Sequence, residues 1–83
     1  MMTLRELIRA KGYEAVATAM TTSIRRLRDL SSGRIALTVD DLYELRRSYG
    51  SLVDIAQTVI EIGSEREAAG VSRKYSPKRK GQR

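Results

Sequence analysis

The apolar positions of this chain recur every three or four residues, in short runs that open on a hydroxyl or acidic residue and mostly close on glycine. That spacing predicts helices and no strands. Leu4, Leu7 and Ile8 share one helical face, Thr3 and Glu6 have the spacing of a capping box, and Gly12 is placed to terminate. The first helix is therefore predicted over Leu4 to Lys11. A second opens at Tyr13 or Glu14 and carries Val16, Ala17 and Met20 inward, with Ala17 small enough for another helix to approach closely. It ends near Met20, because Thr21, Thr22 and Ser23 compete for backbone hydrogen bonds. Ser23 then serves as N-cap of a third helix, from about Ile24 to Ser31, ahead of Gly33. Leu27 and Leu30 fall on its inner face, so Ile24, Arg25, Arg28 and Asp29 point outward.

Further along, Ile35 and Leu37 are expected to tuck under the bundle. Thr38 to Asp41 is a second box-like start, with its acids toward the positive end of the helix dipole. The fourth helix turns Leu42, Leu45 and Tyr49 inward and stops at Gly50. Ser51 to Asp54 is read as the start of a fifth helix that ends at Gly63. Its stripe of Leu52, Ile55, Ala56, Val59 and Ile62, with Val53 and Ile60 on an adjacent face, is more apolar than one small bundle covers. Either this helix is packed wholly within its own core, or the face is a two-fold dimer interface. Ser64 to Glu67 looks like a further box, for a short helix to about Ala69 that breaks at Gly70. The expected fold class is all-α, a compact four- to five-helix bundle.

Eighty-three residues allow one small domain. A chain of this size buries only about 60% of its unfolded surface, so a partner subunit would add burial. With no cysteine and no histidine, a disulfide framework and a thiolate or imidazole metal site are excluded, and the usual general base is missing. An enzyme and a cofactor are not expected. No apolar run approaches the ~20 residues of a membrane span, and no signal pattern opens the chain, so a cytoplasmic protein is expected. The net charge of +6 comes from one place. Residues 1–70 hold ten bases and ten acids, whereas residues 71–83 hold six bases, among them Arg73, Lys74, Lys78, Arg79 and Lys80, and no acid. A neutral body of residues 1–50 and 51–70 with a disordered basic tail suits a polyanion binder.

Two short helices, a three- or four-residue turn and an arginine-rich outer face on the second form a geometry that fits a DNA major groove. Over Thr3 to Gly50 the chain resembles the helix-turn-helix domain of the lambda-repressor and Cro-like (Xre) regulators. The resemblance rests on Ala17 as the small residue of the second helix, Met20 three further on, the Ser23 cap, Leu27 and Leu30 after it, and Gly33 beyond the recognition helix. Leu42, Leu45 and Gly50 also agree. Two positions depart. The family usually has glycine where this chain has Thr21, which costs ~1 kcal/mol or more if the backbone φ there is positive. Many members carry glutamate where this chain has Ser31, so an ion pair common in relatives is not expected.

The resemblance implies base-edge contacts from Ile24, Arg25 and Asp29, and phosphate contacts from Ser23, Arg26, Tyr13 and Arg34. Arg28 reaches either a base or a phosphate. For Arg25 the physical reasoning agrees, since a guanidinium entering the groove near a helix N-terminus can pair with guanine O6 and N7. The bland alternative for Arg25, Arg26 and Arg28 is a solvated helix face, and for Tyr13 partial burial in the core. The tail bases would add non-specific phosphate attraction or enter a flanking minor groove. The function so implied is that of a homodimeric regulator on a palindromic operator of double-stranded DNA. A repressor of phage or mobile-element origin is expected, with no membrane and no small-molecule ligand. A rival expectation is a protein-interaction module, an antitoxin or anti-activator, that works through the apolar fifth helix.

Overall fold

Four of the five α-helices begin where a side chain satisfies free amides of the first turn, and the one that follows Gly12 begins without a side-chain cap. The computed structural model describes residues 1–70, in the order α1 (Leu4–Lys11), α2 (Tyr13–Ala19), α3 (Ile24–Ser31), α4 (Val39–Tyr49) and α5 (Ile55–Ala68), with a 3-10 turn at Gly50–Leu52. The tail bases Arg73, Lys74, Lys78, Arg79 and Lys80 lie outside the described residues. Thr3 and Thr38 each form a full capping box, with Glu6 and Asp41 as the reciprocal partners. Ser23 caps α3 through its hydroxyl, which accepts from the Arg26 amide at 3.0 Å. The fold is an all-α bundle. Among the described residues no helix is long and apolar enough to cross a membrane.

One core joins all five helices. Leu4, Leu7, Val16, Leu27, Leu30 and Leu45 are completely buried, with Met20, Val53 and Ile62 nearly so. Burying a leucine side chain contributes about 1.5 to 3 kcal/mol, so Leu27 and Leu30 alone hold α3 firmly by its inner face.

The start of the fifth helix differs from the expectation. Asp54, not Ser51, is the N-cap, and its carboxylate accepts from the Gln57 amide at 3.0 Å. Leu52 instead closes the 3-10 turn, and Val53 is extended beside the N-terminus. Here the Met2 amide donates to the Leu52 carbonyl and the Asp54 amide to the Met2 carbonyl, both at 2.7 Å. That pairing draws Val53 into the core. Nor does the helix end at Gly63. It runs on to Ala68, so the separate short helix expected after Ser64 is the last part of α5. A glycine inside a helix costs about 1 kcal/mol, and here Ile62 in the core and the seating of Glu65 and Arg66 against Gly33 hold the helix on both sides of it.

Gly33 is the most closely approached glycine among the described residues. It sits at φ +81°, and a Cβ built on it would lie 2.6 Å from the Arg66 amide nitrogen and 2.7 Å from the Glu65 carbonyl carbon. Position 33 must therefore be glycine for two reasons, its backbone conformation and the passage of α5 across it. Thr58 ties the same helix to α1. It is fully buried, its hydroxyl accepting from the Leu4 amide at 3.1 Å and donating to the Asp54 carbonyl at 2.8 Å.

Candidate nucleic-acid interface

The connection from α2 to α3 is a four-residue turn, Met20 to Ser23, whose backbone bonds define its shape. The Thr22 amide donates to the Ala17 carbonyl at 2.9 Å and the Thr21 amide to the Thr18 carbonyl at 3.1 Å. This nested pair is a Schellman motif, and the motif requires a left-handed residue, here Thr21 at φ +56°. The end of α3 repeats the motif, with Arg34 donating to Asp29 at 2.9 Å and Gly33 to Leu30 at 3.1 Å. Glycine fills the left-handed place in the second turn and threonine in the first. The departure at Thr21 noted in the sequence thus coincides with a positive φ.

Between these two turns α3 stands on Leu27 and Leu30 with its other side free. Ile24 is 39% exposed, Arg25 and Arg28 are exposed, and Asp29 is half-buried. Arg34 is exposed just past the helix. The Arg28 guanidinium lies 5.3 Å from the centre of the Tyr13 ring, a cation-π contact that positions it over the start of α2. Tyr13 itself packs partly against the core, as the alternative reading of that residue holds.

Arg26 does something the sequence reading did not assign. Rather than standing free for a phosphate, it makes a bidentate pair with Asp41, Nη1 to Oδ1 at 2.7 Å and Nη2 to Oδ2 at 3.0 Å. Asp41 is also the capping-box residue of α4, and one of its oxygens takes the Thr38 amide at 2.9 Å. Burial pushes the Asp41 carboxyl up, but the Arg26 guanidinium and the Thr38 amide and hydroxyl outweigh it and hold the carboxyl below its ordinary range. The same hydrogen bond raises the Arg26 guanidinium. The pair clamps α3 to the start of α4 across fifteen residues of sequence.

Charge that is balanced in number is unbalanced in space. Arg25, Arg28 and Arg34 line one cleft beside α3, with Asp29 the one acid in its walls. Arg5 and Arg9 of α1 line a neighbouring cleft, and the two share Tyr13, Ser31 and Ser32. Around Arg26 a third cleft is walled by Asp40, Asp41 and Glu44. The folded body thus carries five arginines on one side of α3 and an acidic wall on the other. Arg5 and Arg9 escaped the sequence reading because they lie on α1, outside the two-helix unit. The signal that could have found them is their i, i+4 spacing. Among the described residues no cluster of histidine, cysteine or carboxylate side chains could hold a metal ion.

The apolar set expected on the fifth helix is divided by the fold. Val53 and Ile62 are buried in the protomer's own core and Ile55 packs against it, so these three do not form a free face. Leu52 at 40%, Val59 at 45% and Ile60 at 57% exposure remain uncovered, with Ala56 exposed between them. In comparisons with protein-family models, curated proteins and solved structures, the chain matches none of them.

Proposed function

We propose that the protein binds double-stranded DNA sequence-specifically, as a small homodimeric transcriptional regulator whose α3 enters the major groove. One observation carries the reading. α3 is anchored from beneath by two fully buried leucines while Ile24, Arg25 and Arg28 face solvent on a side lined with arginine. A helix held this way presents a rigid edge, about 10–12 Å across with its side chains, to a groove about 12 Å wide. In this reading Arg25 pairs with a guanine, Ile24 meets a thymine methyl, and Asp29 accepts from cytosine N4 or orients Arg25. Ser23, Tyr13, Arg28 and Arg34 face phosphates. Arg26 is the positioning residue that fixes α3 against α4, and the tail bases add sequence-independent attraction.

Leu52, Val59 and Ile60, too apolar to be left in water without purpose, are the surface through which two copies meet. A dimer on a two-fold axis asks for a palindromic site. Repression needs only occupancy of a promoter, and that is the regulatory sense proposed, for a cytoplasmic protein of phage or mobile-element origin. The same exposed patch favours a second reading, an adaptor that binds another protein through α5. Selection of binding sites from random duplex DNA at near-physiological salt separates the two. A palindromic consensus supports the regulator, and the absence of any enriched motif supports the adaptor.

A further inference from the structure

Of the residues that line the cleft of Arg5 and Arg9, only Tyr13 has a role in the DNA contacts just proposed. The cleft occupies about 440 Å³ between α1, the start of α2 and the end of α3, with Ile8 as its apolar wall. The two serines in it are already spent as donors. The Ser31 hydroxyl donates to the Arg28 carbonyl at 3.1 Å and the Ser32 hydroxyl to the Asp29 carbonyl at 3.3 Å. What remains to meet a ligand is cationic, together with the Tyr13 hydroxyl. Arg5 shares its charge with Glu65. Arg9 is exposed and pairs with no carboxylate among the described residues.

The chemistry that answers an unpaired guanidinium beside a phenol is a phosphate oxygen. The shape of the site decides which phosphate. This cleft does not close around a ligand. It adjoins the cleft of Arg25, Arg28 and Arg34, with Tyr13, Ser31 and Ser32 in the walls of both, so the cations of the two follow one another along one basic trough of the surface. A small free anion is best held in a concave site that buries most of its surface, whereas a trough with cations along its length suits a polymer that passes through it. Arg28, held over the Tyr13 ring where the two clefts meet, supplies the cation between them.

We infer that Arg9, with the Tyr13 hydroxyl beside it, seats a phosphodiester of the duplex backbone, extending the DNA footprint from α3 onto α1. The inference rests on the DNA-binding reading, and its test separates the two. Arg9→Ala and Arg9→Lys are made in the full chain, with circular dichroism to establish that both fold. Binding is measured across a salt series on the selected duplex and on an unrelated one. A backbone contact adds no sequence preference, so Arg9→Ala is expected to weaken both duplexes by a similar factor, about 3- to 10-fold. The dependence of log K on log salt should become shallower by about 0.9, with most of it kept in Arg9→Lys.

An unchanged slope in Arg9→Ala, with wild-type binding intact, overturns this inference and leaves the DNA reading standing. Failure of the wild-type chain to bind any duplex overturns both. Inorganic phosphate provides the second arm. Millimolar phosphate that shifts the Arg9 side-chain NMR signals, combined with a DNA salt slope that ignores Arg9, would assign the cleft to a free anion and reject the duplex backbone.

Discussion

Replacing Thr21 by glycine should stabilise this protein, although most substitutions at an ordered position do the reverse. Thr21 is held at φ +56° by two hydrogen bonds that close the end of α2, so its Cβ stands against the backbone in a conformation that favours glycine. The strain amounts to about 1 to 2 kcal/mol for a residue with a Cβ in this region. Glycine returns part of it, since a freer unfolded chain costs about 0.4 to 1 kcal/mol on folding. Thr21 is exposed, and little burial is lost with its side chain. The net gain is about 0.5 to 1 kcal/mol, or an increase in Tm of about 2 to 8 °C in a domain of this size. Urea and thermal unfolding followed by circular dichroism, at one fixed protein concentration, measure it. Thr21→Ala keeps the Cβ and should recover less than glycine does. A glycine variant no more stable than wild type would show that the turn is unstrained and that the reasoning from its hydrogen bonds is wrong.

The second such turn gives the opposite sign. Gly33→Ala places a Cβ 2.6 Å from the Arg66 amide, and the combined cost of the left-handed conformation and the displaced helix is about 3 kcal/mol, measured by urea unfolding. Asp41→Asn should cost about 1 to 2 kcal/mol at neutral pH by weakening the bidentate pair between the buried carboxylate and the partly exposed Arg26. Because the Asp41 carboxyl lies below its ordinary value in the fold, its contribution is complete above about pH 4 and is lost as the pH falls through the lower folded value. The stability gap between wild type and Asp41→Asn should therefore close on acidification, which unfolding curves from pH 7 to pH 2 will follow. Ile60→Asp charges a side chain that is 57% exposed. Sedimentation should find this variant monomeric where wild type forms the proposed dimer, with helix content unchanged by circular dichroism, and equal sedimentation coefficients would remove α5 as the proposed dimer surface.

Local signals carried most of the fold. The bounds of α1 and α3 and the boxes at Thr3 and Thr38 follow from side chains within four residues of the amides they satisfy, so a linear reading can find them. The start of α5 was misplaced because Ser51 and Asp54 are both competent caps. What selects Asp54 is the pairing of Met2 with Leu52 and Asp54, a contact across the length of the described chain. Gly63 was read as a stop because glycine usually is one, but packing at Ile62 and at Gly33 overrides that preference.

The outer face of α3 was legible from its period alone. The role of Arg26 was not, since nothing in the sequence distinguishes one arginine of the Arg25, Arg26 and Arg28 group as the partner of an aspartate fifteen residues on. The basic trough escaped for a related reason. A count of ten bases and ten acids in residues 1–70 is neutral, and only the fold gathers five of those bases beside Tyr13.

The central claim is that Arg25 on the free side of α3 reads a base. Its most direct test is methylation interference on a duplex that carries the selected site, with wild type and Arg25→Ala compared. Methylation at N7 of one guanine in each half-site should block the wild-type protein. Arg25→Ala should bind the unmodified site about 1 to 3 kcal/mol more weakly and be indifferent to that methyl group. If Arg25→Ala binds as tightly as wild type and shows the same interference pattern, α3 is not the element that reads the DNA.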